Sequence, residues 1–412
     1  MSTIDNEIGL GLLRQPTTVL FGPGQRRQLP RVVRRLGEVA LVCTDERMAT
    51  TEEFAAMVQG LETQGVKTVV FDRVEPDLPR TNVLDLQRSV ADEGIEVVVG
   101  VGGGSCLDFA KVAALVLRHG GDVSDYYGEN LVPGPVLPLV TVPTTGGTGA
   151  EVTCISVVYD ADKGMKVGVA SAHLEAHTAL VDPELTLSCP PGLTAATGAD
   201  ALSHLVEAFT GRSKNPDVDE VERHLYVGKN VLTDIYARHG LGLLGTSLER
   251  VAADPGDLQA RSDTMLGALA AGMAINTAGT AGAHAIQSPI GALTHTSHGF
   301  GVGALLPYVM RFNLPTRVAE FAEVADLLGV GTTDPEESAR AGITRIEEIL
   351  AALGVPPDLQ ALGLRPEHFE QVASQAMLAT RLTANNPREL SHEAVVSILE
   401  HGHRADRSWW EA

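Results

Sequence analysis

Aromatic side chains are scarce, at 4% of 412 residues, so recognition through aromatic cages is not expected. Glycine is in excess instead: 43 residues, about 10% against the usual ~7%, which points to tight backbone approaches. Cysteine is rare too, with only Cys43, Cys106, Cys154 and Cys189. None stands in a CxxC pair, and a chain this long buries a core without a disulfide framework. Basic residues are outnumbered, 31 Lys and Arg against 52 Asp and Glu, for a net charge of −21. Such a surface repels phosphate backbones, so no nucleic-acid partner is expected. Long apolar runs are missing. The stretch Val97 to Leu117 is broken by four glycines, Asp108 and Lys111, which excludes a membrane span. Met1 to Leu13 carries Asp5 and Glu7 and no basic region before an apolar stretch, so no signal peptide is expected. The expectation is a cytoplasmic globular protein of two or three domains; at 44% hydrophobic it is too apolar for a disordered chain.

The first half alternates apolar runs with helical stretches. Val39 to Thr44, Lys67 to Phe71, Ile95 to Gly100, Val136 to Val142 and Ala179 to Val181 read as strands. Glu52 to Gln64, about Asn82 to Glu93, and Cys106 to Arg118 read as helices. This alternation indicates βαβ units and a parallel sheet. Past Cys189-Pro190-Pro191 the β-branched runs give way to Ala/Leu/Glu-rich helical periodicity. The expected organisation is an α/β domain over residues 1–188 and an all-helical domain over 189–412. The stretches 254–257 and 329–337 read as loops.

Four motifs carry candidate chemistry. Gly100-Val-Gly-Gly-Gly-Ser105 joins a strand to a helix. Its backbone N–H groups and the helix N-terminus suit an anion, and an ordinary glycine-rich turn is the alternative. Pro143-Thr-Thr-Gly-Gly-Thr-Gly-Ala-Glu151 sets three hydroxyls on a glycine loop, suited to a dinucleotide's phosphates and amide. Asp200 and His204, at i and i+4, share one helix face. They form half of a metal site or a plain Asp–His hydrogen bond. His284, His295 and His298 fall within 15 residues around Pro289 and Gly291. This reads as His284 ending one helix, a break at the Pro and Gly, and His298 opening the next segment. Both imidazoles could then return to one spot, and with Asp200 and His204 they make a 1-Asp, 3-His set suited to Fe²⁺ or Zn²⁺. The pair His173 and His177 has no clear carboxylate partner and reads as solvated or structural.

With these residues in view, the chain resembles the iron-containing (group III) alcohol dehydrogenase family over nearly its whole length. Phe21-Gly-Pro-Gly24 matches the family's opening turn. Gly102 to Asp108 with Lys111 matches GGGSxxDxxK, and Pro143 to Glu151 matches PTTxxTGxE. Val181 to Leu185, Gly198 to His204 and Asn386-Pro-Arg388 match its DPxL, GxDAxxH and NPR elements.

The resemblance implies an N-terminal dinucleotide-binding α/β domain and an all-α C-terminal domain, the dehydroquinate synthase-like architecture. It implies Asp200, His204, His284 and His298 as metal ligands. Gly102, Gly103, Gly104 and Ser105 would hold the pyrophosphate. Asp108, Thr144, Thr145, Thr148 and Lys166 would complete the cofactor site, and Asp45 would bind the adenosine ribose. An acid there favours NAD over NADP, because it repels a 2′-phosphate. Four residues after His284 the family's alcohol dehydrogenases usually carry a second histidine on the proton path; here Ser288 stands there, after Gln287. Ser288, His295 or water would then relay the proton. The expected activity is metal-dependent hydride transfer between NAD(P)(H) and a small alcohol or aldehyde, or a hydroxy acid or keto acid, in a homodimer. Alternatives are a hydroxyacid–oxoacid transhydrogenase-like enzyme and a non-catalytic NAD-binding relative.

Overall fold

The fold is described from a computed structural model, over residues 9–410. By internal contacts the described residues form two compact units, one of residues 15–201 and 246–272, the other of 9–14, 202–245 and 273–410.

In the first unit, β1 (Thr18–Phe21), β2 (Val39–Cys43), β3 (Lys67–Phe71), β4 (Val97–Gly102), β6 (Leu139–Pro143) and β9 (Thr178–Val181) form one sheet, in the order β1-β9-β6-β4-β2-β3. Every pairing in it is parallel. Central strands β4 and β6 are buried at every residue, as a sheet covered on both faces requires. A second, three-stranded sheet joins β5 (Gly128–Glu129) to the antiparallel pair β7 (Ile155–Asp160) and β8 (Met165–Ala170). The sequence reading missed this pair. The residues of β7 alternate buried with exposed, β8 is buried only at its end, and Lys163 and Gly164 at the tip interrupt the apolar signal.

Two sequence motifs turn out to brace the fold. Asp182, of the Val181–Leu185 motif, accepts the N–H groups of Gly24 (2.9 Å) and Arg26 (3.1 Å) just past β1, and pairs with the Arg26 guanidinium at 2.7 Å. Lys111 lies fully buried in the Gly104–His119 helix. Its ammonium donates to Asp108 Oδ1 (3.0 Å), Thr153 Oγ1 (3.1 Å) and the Ile155 carbonyl (2.7 Å), fastening the helix to β7. Removing one partner of a buried pair costs ~3–5 kcal/mol. Because Asp108 is partly exposed, Lys111→Met is expected to cost about 2–3 kcal/mol. Denaturant titration checks this; a loss below about 0.5 kcal/mol would show that the brace contributes little.

The second unit is built of helices, among them Pro191–Thr210 (which runs on from the first unit), Val231–Ala253, Gly282–Thr294, His298–Asn313, Val318–Leu327, Pro335–Ala352 and His392–His403. The expected α/β half followed by a helical half is the architecture seen. Two local readings are corrected. His284 does not end a helix: Leu258–Ala278 stops at Gly279, in the left-handed region (φ 76°), and His284 sits in the first turn of Gly282–Thr294. Pro289 and Gly291 make no break there, because Ile286 and Ile290, both fully buried, hold the helix through the bond that proline cannot donate. The chain turns instead at His295, whose φ is 54°. Residues 329–337 are a loop only as far as Asp334, which caps the next helix by accepting the Glu337 N–H, with Pro335 in its first position.

Candidate metal and cofactor site

Helix periodicity sets out the first part of the site. Asp200, His204 and Glu207 follow one another at i, i+4 and i+7 on the Pro191–Thr210 helix, so they share one face. All three are buried, as is His284. Ligand atoms of Asp200, His204 and His284 all lie within 4.8 Å of one another. The His204 and His284 rings stack at 4.7 Å, and the His298 ring lies 5.3 Å from that of His284. His298 is exposed, at the first residue of its helix.

Two residues that the sequence reading left out orient these rings. Glu207 accepts the N–H groups of Ala281 (2.9 Å) and Ala283 (2.6 Å) and, at 2.5 Å, the Nδ1 proton of His284. Despite burial, the His284 ring and the two amides hold the Glu207 carboxyl below its ordinary range. With the proton on Nδ1, the lone pair of His284 is on Nε2. Gln287 does the same for His298, its Oε1 accepting from Nδ1 at 2.8 Å. A carboxylate and imidazoles whose tautomers are fixed by outer partners form a donor set that fits Fe²⁺ or Zn²⁺. Glu207 was findable in the sequence, because i+7 from Asp200 returns to the same face; Gln287 carried no such signal. Ser288 and His295 are both exposed.

The cofactor candidates gather at the C-terminal ends of β2, β4 and β6. From β2 the chain moves outward to β3, then crosses back to β4 on the other side of β2. That reversal opens a crevice between the ends of β2 and β4, the place where open parallel sheets bind ligands. Asp45 follows β2, caps a short helix by accepting the Met48 N–H, and receives a hydrogen bond from the Cys106 thiol at 3.6 Å. Gly102 ends β4 at φ 149°, and a Cβ there would lie 2.6 Å from Cys106 Sγ. The threonine loop packs on this turn: Thr144 N–H donates to the Gly102 carbonyl at 2.9 Å, and a Cβ on Gly104 would lie 2.8 Å from the Thr148 methyl. Gly103, Ser105, Thr145 and Thr148 therefore belong to one cluster with the glycine turn. Asp108 is turned to Lys111 and to the Val157 N–H. Lys166, on β8, pairs with Asp77 at 2.6 Å. Arg388 donates to the Phe312 carbonyl, and Arg381 lies over the Tyr226 ring, so both have structural contacts.

Glu151 closes the threonine loop and is buried. Burial pushes its carboxyl up from 4.5 to about 7, against the attraction of Lys111. A raised acid binds its proton more tightly folded than unfolded, so its stability contribution is complete below pH 4.5 and is lost as pH rises to about 7. Glu151→Gln is expected to match the parent near pH 4.5 and to exceed it by about 3 kcal/mol at pH 8. Unfolding titrations at the two pH values check this; an equal difference at both would show that Glu151 does not titrate in that window.

The description "iron-containing alcohol dehydrogenase" matches residues 16–183, and that of the C-terminal part of the same family matches residues 194–402. The chain belongs to the iron-containing alcohol dehydrogenase family. Alcohol dehydrogenase 4 of Saccharomyces cerevisiae (strain YJM789) is 31% identical over 93% of this chain and 96% of its own length. NAD-dependent methanol dehydrogenase of Bacillus methanolicus is 30% identical over 93% and 98%. The crystal structure of a 1,3-propanediol oxidoreductase superposes with a TM-score of 0.89 at 30% identity, over 95% of this chain and all of that one. This family member is thus an oxidoreductase of the alcohol dehydrogenase and aldehyde reductase type. No helix among the described residues is long and apolar enough to cross a membrane.

Proposed function

We propose that this family member moves hydride between NAD and a small alcohol or aldehyde, or a hydroxy acid or keto acid, with Fe²⁺ or Zn²⁺ held by Asp200, His204, His284 and His298. The observation that carries the reading is the buried convergence of Asp200, His204 and His284, with His284 locked by Glu207. A bound metal would supply Lewis-acid polarisation of the substrate oxygen. The protein's part is to present that oxygen and the cofactor to each other. Glu207 and Gln287 fix two imidazole tautomers, and burial keeps bulk water from Asp200, His204 and His284. Gly102, Gly103, Gly104 and Ser105 offer backbone N–H groups to the pyrophosphate, and Thr144, Thr145 and Thr148 wall the same cluster. Asp108, one turn past Gly104, and Lys166, paired with Asp77, complete the proposed cofactor site. Asp45 receives the adenosine ribose and favours NAD; NADP is the weaker cofactor because its phosphate meets this carboxylate. Ser288 lies one turn beyond His284, and Ser288, His295 or water carries the proton. We place the boundary between the two halves of the chain at 188–189, just before the helix that begins at Pro191. The reading includes a cytoplasmic homodimer without nucleic-acid partners.

Chelation followed by metal add-back tests the metal role, with NADH and NADPH offered to a panel of small aldehydes and keto acids. Turnover is expected to vanish on chelation and return with Fe²⁺ or Zn²⁺. Turnover indifferent to metal across the whole panel would sink the reading. Asp45→Asn is expected to lower the preference for NADH about 10-fold, the weight of one charged contact of ~1.4 kcal/mol; an unchanged preference would remove Asp45 from the cofactor site.

A further inference from the structure

The Asn386-Pro-Arg388 motif supplies no metal ligand, but it and the residue before it are built into the turn that delivers His284. Asn385 ends the Thr380–Asn385 helix and is 3% exposed. Its Nδ2 donates to the Ala278 and Thr280 carbonyls, both at 3.0 Å. Its own backbone carbonyl accepts the Arg212 N–H at 2.9 Å, just past the helix that carries His204 and Glu207. Asn386 is fully buried. It exchanges two hydrogen bonds, of 3.0 and 2.8 Å, with Asn313, the last residue of the helix that His298 opens. Asn386 Oδ1 also packs on Gly282, where a Cβ would lie 2.6 Å from it.

These contacts share out the turn between complementary partners. The end of the Leu258–Ala278 helix leaves carbonyls without donors of their own helix, and the start of Gly282–Thr294 leaves N–H groups without acceptors. Glu207, whose carboxylate only accepts, takes the Ala281 and Ala283 N–H groups. Asn385 offers the two donors of one amide NH₂ to the Ala278 and Thr280 carbonyls. Residues 278–283 are therefore gripped twice, an amide on the carbonyls and a carboxylate on the N–H groups. His284 follows directly and takes its direction from that backbone. Alanine at 385 would leave both carbonyls without this donor, and Asn386 holds the first residue of the His284 helix from the other side.

We propose that Asn385 is a positioning residue of the metal centre, seated by Asn386, and that it sets the turn from which His284 meets the metal before any metal binds. The inference rests on the ligand role proposed for His284. It gives the Asn386-Pro-Arg388 motif a task that needs no contact with substrate, cofactor or metal, because the segment ties the backbone before His284 to the far end of the helix that His298 opens.

Zn²⁺ and NADH affinities of the full chain, measured separately, test it. Asn385→Ala is expected to bind Zn²⁺ about 10-fold more weakly in competition with a chromophoric chelator, the lower end of the range for lost outer partners of a ligating histidine. Its NADH affinity, read by fluorescence titration, is expected to match the parent's. A purely structural role would leave both affinities unmoved while the fold is intact, or lower both together, and either pattern overturns the proposal. Hydrogen exchange needs no variant and decides the matter if Asn385→Ala does not fold. The Ala281 and Ala283 amides are expected to exchange slowly in the metal-free parent, because the turn is already held. Free exchange there that slows only on adding Zn²⁺ would show that the metal orders the turn, against the proposal. A parent that binds no Zn²⁺ at all refutes the ligand assignment itself, and this inference with it.

Discussion

Asp200→Ala and His284→Ala are each expected to lose stoichiometric metal and about 10³-fold of turnover. Lewis-acid polarisation is worth several kcal/mol, and each 1.36 kcal/mol is tenfold in rate, which sets about 10³ as the scale. The two variants lose it for different reasons. Asp200 contributes the only carboxylate of the candidate set, so its removal takes away the one negative charge that offsets a divalent ion. His284 contributes a ring already aligned by Glu207 and stacked on His204, so its removal also leaves the Glu207 carboxylate buried without that proton donor. Glu207→Gln separates orientation from ligation. It leaves every ligand in place but puts an amide NH₂ where three N–H donors converge. Metal affinity is expected to fall about 10- to 100-fold, the range for lost outer partners of a ligating histidine. Metal content after dialysis and competition titration against a chromophoric chelator give the answer without reference to activity. If Glu207→Gln binds metal as the parent does, His284 needs no orienting partner. If Asp200→Ala and His284→Ala both retain metal, the site is elsewhere.

The second large effect concerns packing. Gly149→Ala is expected to destabilise the first unit by about 2–5 kcal/mol, combining ~1–2 for a left-handed non-glycine residue with ~1–3 for overpacking. Gly149 has φ 65°, and a Cβ on it would lie 2.3 Å from Gly272 Cα. The contact is reciprocal, because a Cβ on Gly272 would lie 2.6 Å from the Gly149 carbonyl oxygen. Backbone meets backbone on both sides, so no rotamer change relieves the clash. Gly65→Ala is the control: it shares the left-handed φ, at 76°, but nothing lies within 4 Å of its added Cβ. It is expected to cost only the ~1–2 kcal/mol of backbone strain. Equal losses for the two variants would show that the close approach of Gly149 and Gly272 contributes nothing.

Much of the first sheet was legible because its signal is local. The strand Lys67–Phe71 matches its sequence reading residue for residue, and Val39–Cys43 differs by one. Buried parallel strands are continuous β-branched runs, and runs of that kind survive without tertiary context. β1 was missed because it is an edge strand of four residues, none fully buried. The metal candidates were legible as residue types and spacing, but not as geometry. Pro289 was read as a helix break because propensity was weighed without the burial of Ile286 and Ile290 that overrides it. Gln287 was unreadable for a related reason: it meets His298 only because the chain turns at His295, a turn that no glycine announces.

The Gly149–Gly272 contact also sets a schedule for folding. The first unit takes residues 15–201 and then, after a detour through the other unit, 246–272. At ~5–20 residues per second, synthesis of residues 202 to 272 occupies roughly 4–14 s. Through that interval the threonine loop is complete but the backbone it packs against does not yet exist. The backbone at Gly149 therefore stays uncovered until residues 246–272 have been made.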